Sequence, residues 1–68
     1  MPTKDKLRRF VWIAAAVEIR GTINRRQIMR EFGVCRFTAS ADLEAYRRAY
    51  PNRLIYDDRA KVHRRAGP

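Results

Sequence analysis

The sequence predicts a mainly α fold with a small β-hairpin, and three observations carry that expectation. Apolar residues recur at three- and four-residue spacing from Lys4 to about Ile19, around Ile28, and from Ala39 to Tyr50, the mark of three amphipathic helices. After Pro51 the pattern changes to Leu54, Ile55 and Tyr56, then the polar stretch "DDRA", then Lys61, Val62 and His63, which reads as two short strands around a turn. The length of 68 residues leaves room for one domain, expected to span residues 1–68. A chain that short hides only about 60% of the surface its unfolded form exposes, so a deep catalytic cleft is not expected.

In the first helix Leu7, Phe10, Val11, Ala14 and Val17 are the expected core stripe, with Thr3 as the cap and Gly21 as the stop. The ten-residue run "FVWIAAAVEI" contains Glu18 and falls short of the ~20 residues a membrane span needs. It also lacks a signal-peptide cleavage site, so it reads as a core helix. A second helix begins at Asn24, which forms a capping-box pattern with Gln27, and it ends at Gly33 after burying Ile28, Met29 and Phe32. The third starts near Cys35 or Arg36 and turns Ala39, Leu43, Tyr46 and Tyr50 inward until Pro51 disfavours further helix at Tyr50. Two strands alone are marginal in water, and Thr22 with Ile23 is the expected third strand that supports them. Helix, short strand, helix, turn, helix, hairpin is the order of a winged helix-turn-helix: three helices plus a wing.

Charge narrows the partner. Sixteen Lys plus Arg stand against seven Asp plus Glu, a formal net charge of +9. Such a chain attracts polyanions, with nucleic acid first and anionic lipid second. Thirteen of the 16 cations are arginine, whose planar fork suits phosphates and guanine edges. Cys35 is the lone cysteine and His63 the lone histidine, so neither a disulfide nor a metal-ligand spacing is available, and no cofactor is expected. The two residues fall in separate elements with no third group, so no enzyme is expected either. The lone thiol points to a reducing compartment, and a cytoplasmic, nucleoid-associated location follows as an expectation.

The stretch "GVCRFTASADL" gives the fold its functional meaning. Gly33 can adopt the left-handed conformation of the turn, Val34 can plug the junction, and Ala39 lets two helices approach. On the opposite side of the third helix lie Phe37, Ser40, Ala41, Glu44 and Arg48, where the small residues at 40 and 41 let the helix sit close to base edges. Asp42 lies beside the core stripe, where an ion pair with an arginine is expected. Arg25, Arg26 and Arg30 on the second helix are expected at phosphates, Arg36 and Arg48 at bases or phosphates, and Arg59, Lys61, Arg64 and Arg65 of the wing at flanking DNA. Trp12, off the core stripe with Ala15, Ala16 and Ile19 on its side, is the expected dimer face, and a homodimer would read two half-sites about 34 Å apart.

"FGVCRFTASADLEAY" resembles the helix-turn-helix of DeoR-type repressors, with Gly33, Val34, Thr38, Asp42 and Leu43 in register. Residues 22 to 64 are similar to the N-terminal winged helix of WYL-domain transcriptional regulators, through Ala-Ser-x-Asp-Leu and the Leu-x-Tyr-Asp hairpin. The resemblance implies a DNA-binding module, with Thr38 among the candidate contact residues; no WYL ligand-sensing domain follows Pro68 here, so either a bare DNA-binding module or a piece of a longer regulator is expected. Two positions depart from the pattern. Cys35 stands where the helix-starting serine would be, and Phe37 replaces a proline or polar residue, either as a thymine-methyl contact or as a hydrophobic surface residue. The expected function is sequence-specific binding of double-stranded DNA by a transcriptional repressor, without a membrane or small-molecule ligand. The alternative is a protein-interaction winged helix that touches nucleic acid only non-specifically. RNA is a weaker third option, because the chain lacks an aromatic-bearing sheet that stacks unpaired bases.

Overall fold

The computed structural model describes residues 4–66. Helix α1 runs Lys4–Arg20, strand β1 Thr22–Ile23, α2 Arg25–Phe32, α3 Arg36–Ala49, β2 Leu54–Asp57 and β3 Val62–Arg65. These three helices and the antiparallel sheet, ordered β1-β3-β2, form a winged helix. The expected cap at Thr3 lies outside the described residues.

The punctuation acts as its chemistry requires. Gly21 takes a φ of 78° and donates its amide to the Val17 carbonyl at 2.8 Å, which closes α1. Asn24 and Gln27 exchange side-chain and backbone hydrogen bonds of 3.0 Å each, a complete capping box for α2. Gly33 ends α2 at φ 65°, and the chain enters α3 three residues later, at Arg36. Tyr50, the residue before Pro51, is the C-cap of α3.

Ile13, Ala16 and Val17 of α1 meet Ile23, Ile28, Ala39, Leu43, Tyr46 and Leu54 in one core. Phe10, Trp12, Met29, Phe32 and Val34 pack around it. Thr22 pairs with Arg64 and Ile23 with His63, so the two residues of β1 hook the wing back onto the helices. In the hairpin Tyr56 lies opposite His63 and Asp57 opposite Val62.

The buried face of α1 differs from the expected stripe. Leu7 and Val11 are 50% and 68% exposed, whereas Ile13 is fully buried. At 3.6 residues per turn those two lie about 120° and 160° around the helix from Ile13. The helix is apolar on both sides, and Arg9 decides which side turns in. Its guanidinium Nε donates to Asp42 of α3, with a second contact from Nη2 to the other carboxylate oxygen at 3.4 Å. Asp42 is 2% exposed and the Arg9 side chain 14% exposed, so the ion pair expected for Asp42 is a buried one across α1 and α3. Tyr50 is also corrected: at 45% exposure it packs on the edge of Tyr46 instead of entering the core.

Removing one partner of a buried pair leaves an uncompensated charge, at a cost of about 3–5 kcal/mol, which is most of the stability of a domain this small. Asp42→Ala is therefore expected to lose about that amount in urea unfolding. The double replacement Arg9→Met with Asp42→Leu is expected to recover most of it. A single-variant loss under about 1 kcal/mol would show that the pair is not what holds α3.

Candidate nucleic-acid interface

Two surfaces adjoin on one side of the molecule. The first is the outward arc of α3, where Arg36, Phe37, Ala41, Glu44 and Arg48 are exposed and Ser40 is half-buried. The second is a groove of about 740 Å³ between the start of α2, the flank of α3 and the wing. Arg25 and Arg26 line it from α2, Ser40, Leu43, Glu44 and Arg47 from α3, and Tyr56, Lys61 and His63 from the wing.

The groove thus brings Arg25, Arg26, Ser40, Glu44 and Lys61 together, as residues expected to share a site. Arg36, Phe37, Ala41 and Arg48 stand beside it on the outer arc of α3, while Arg30, Arg59 and Arg64 are exposed but do not line it. Among the described residues, Arg25, Arg26, Arg30, Arg36, Arg48 and Arg59 have no carboxylate within ion-pair distance. Arg64 lies 3.7 Å from Asp57, and Lys61 3.1 Å from Asp58 in a pair that is largely solvated. Cations also stand away from this face, Arg53 over the Tyr50 ring being one, so net charge alone does not locate the surface.

Arg47 is the groove residue that sequence reasoning missed. It donates to both oxygens of Glu44, at 2.8 and 2.7 Å. That contact offsets the negative charge of a carboxylate on an otherwise cationic face. The signal was present: Arg47 follows Ser40 by seven residues and Glu44 by three, so the three share one arc of the helix.

The start of α3 is built unusually. Cys35 is the N-cap and makes no capping hydrogen bond of the ordinary kind. Its exposed thiol lies 3.4 Å from the Thr38 hydroxyl. That hydroxyl, and then the Thr38 amide, favour the thiolate and hold the thiol below its usual range. Thr38 is half-buried, with its hydroxyl engaged at the helix start.

The wing tip is shaped by Asp57, whose Oδ1 accepts from the amides of Arg59 and Ala60 at 3.1 and 3.2 Å. Lys61 follows at φ 58° and closes the turn. Below it the His63 ring lies 4.9 Å from Tyr56, and its Nε2 is buried with no hydrogen-bond partner among the described residues.

The surface expected for dimerisation is rearranged. Ala16 belongs to the core, and Trp12 is half-buried with its ring edge-on to Phe32 at 5.7 Å. The cover comes from α2, which folds back under α1. Only Ala15 and Ile19 of that group face outward, together with Leu7 and Val11 at four-residue intervals along the same side.

Comparison with known proteins decides the family. Residues 5–67 match the model of the BrxR transcriptional regulator winged helix-turn-helix domain. The chain belongs to that family. This BrxR winged helix is accordingly the DNA-binding domain type of a transcriptional regulator, and no curated protein matches it. No helix among the described residues is long and apolar enough to cross a membrane, and no group of three or more His, Cys, Asp or Glu there could hold a metal ion.

His63 gives the stability of the fold a pH dependence that can be measured. Burial, and after it the positive charge of Arg47, disfavour the imidazolium, with Glu44 opposing, so the folded pKa lies below the usual 6.5. The unfolded chain therefore takes up the proton first. The stability from this group is present above about pH 6.5 and is lost as pH falls below it. Urea unfolding free energy is expected to stay level above about pH 7 and to decline between about pH 6.5 and 5, before the carboxylates titrate. His63→Gln is expected to flatten that interval, and an unchanged slope in the variant would remove His63 as its source.

Proposed function

We propose that residues 1–68 act as one sequence-specific DNA-binding domain of a transcriptional repressor, with α3 lying in the major groove and the wing on flanking DNA. The observation that carries this reading is the convergence of Arg25, Arg26 and Lys61 on the groove beside the exposed small-residue arc of α3. A backbone strand in that groove would meet cations from α2 and the wing at once, with α3 alongside, which fixes register and orientation. Ser40 and Ala41 keep the arc shallow, so Phe37, Glu44 and Arg48 reach base edges. Arg36 stands at the end of α3 that enters the groove in helix-turn-helix proteins. Arg30, Arg59 and Arg64 take flanking phosphates, and Thr38 secures the start of the helix. The spacing of Gly33, Val34, Thr38, Asp42 and Leu43 supports a DeoR-type or WYL-type mode of reading. Such a protein works on the nucleoid.

The domain acts as a homodimer. Support comes from the outward stripe of Leu7, Val11, Ala15 and Ile19 on α1, which follows an i, i+4 ridge of the kind that interdigitates between helices. Val11→Glu is then expected to reduce the mass in solution from dimer to monomer. A dimer mass for the variant would place the contact elsewhere.

Selection from a random duplex pool tests the central reading, followed by titration against selected and scrambled duplexes at fixed salt. An affinity ratio of about 10³ or more is expected. A ratio near one overturns sequence-specific DNA binding and favours the protein-interaction reading. Arg25→Ala is expected to weaken both duplexes alike and to lower the slope of log affinity against log salt by about 0.9. Arg48→Ala is expected to relax sequence preference.

A further inference from the structure

Phe37 is the one large apolar side chain that the first turn of α3 leaves open, at 75% exposure. Nothing in the fold needs it there, since the core is complete without it. Its neighbours one turn on are Ser40 and Ala41, and the next exposed residues along the arc are Glu44 and Arg48. A single ring among small and charged residues is not a contiguous apolar patch of the sort that binds protein. One contact does organise it: the Arg36 guanidinium carbon lies over the ring, 5.3 Å from its centroid. A cation held on an aromatic face is partly pre-ordered, and its N–H groups remain free to donate in the ring plane of a neighbouring acceptor.

We propose that Arg36 and Phe37 form one reading unit for a pyrimidine bearing a C5-methyl group next to a guanine. The proposal rests on the reading of α3 as the major-groove helix. In that groove a pyrimidine C5-methyl is an apolar knob, and guanine presents its N7 and O6 acceptors side by side. The ring of Phe37 packs on the methyl group while Arg36, steadied above it, donates to the guanine of the adjoining pair. Thymine carries this methyl group, and 5-methylcytosine carries the same group at the same place. An unmethylated cytosine leaves the ring facing nothing apolar.

The test uses a duplex obtained by selection and replaces each thymine, one at a time, with deoxyuridine, which lacks only the methyl group. One position is expected to lose about fourfold in affinity, the effect of burying one methyl group. Phe37→Ala is expected to be indifferent to that replacement while keeping its salt slope, and its fold is safe because the ring is exposed. At the same position a 5-methylcytosine–guanine pair is expected to bind about fourfold tighter than a cytosine–guanine pair, again only when Phe37 is present. Arg36→Lys is expected to relax the preference for guanine at the adjoining pair. If the protein selects a duplex yet no deoxyuridine position separates the wild type from Phe37→Ala, the unit is overturned and the major-groove reading stands. If deoxyuridine matters but 5-methylcytosine and cytosine bind alike, the methylcytosine arm is overturned. If no duplex is selected over scrambled DNA, the underlying reading fails and this unit with it.

Discussion

The whole arrangement depends on where a single buried charge is neutralised. Asp42 projects from α3 into a space where water does not reach, and a carboxyl group buried there needs a partner to satisfy its oxygens. Arg9 supplies it from α1, 33 residues earlier in the chain. The pair sets the rotation of both helices at once. On α1 it turns Ile13, Ala16 and Val17 into the core and leaves Leu7, Val11 and Ile19 outside. On α3 it fixes which arc is left over for other work. Apolar packing between helices tolerates rotation, whereas an arginine fork on a carboxylate does not. The ionic contact thus supplies orientation, and the surrounding Phe10–Tyr46 and Trp12–Phe32 edge contacts supply adhesion.

The same pair explains what could and could not be read from the amino-acid order. Local chemistry was legible. Asn24 with Gln27, Gly21, Gly33 and Pro51 each act through groups within four residues, and each ends or begins an element where expected. The hairpin and the short strand β1 were legible as well, because their β-branched and aromatic residues stand between polar turns. The face of α1 was not. Periodicity scores an arginine as polar and assigns it to the outside, and nothing near Arg9 in sequence announces a carboxylate in another helix. Once Arg9 is placed outside, the stripe rotates onto Leu7 and Val11. The cover over Trp12 was lost for a related reason, since Phe32 was credited to the core alone. On the interface, residue types and helical arcs were legible, but the meeting of α2, α3 and the wing around one groove required the fold, and Arg47 surfaced only there.

Electrostatic character along the groove is mixed by construction. Glu44 is held by Arg47, and Asp57 and Asp58 stand in the wing beside Arg64 and Lys61. Exposed pairs of this kind add little stability. Their effect is on the field: they dilute a surface that would otherwise bind any polyanion and leave unpaired cations at chosen positions, among them Arg25, Arg26, Arg36 and Arg48. His63 contributes in the opposite sense, since burial and the neighbouring Arg47 disfavour its charged form on the wing side of the groove.

The strand order β1-β3-β2 places the latest of the three strands in sequence at the centre of the sheet. Both outer strands are synthesised first and have no partner until residues 62–65 arrive. On a ribosome the helices can therefore collapse around their core while the wing stays open, and the sheet closes only when residues 62–65 clear the exit tunnel. A chain that has not yet reached residues 62–65 would carry its helical half without the β-side of its groove, so the basic surface is assembled last within the domain.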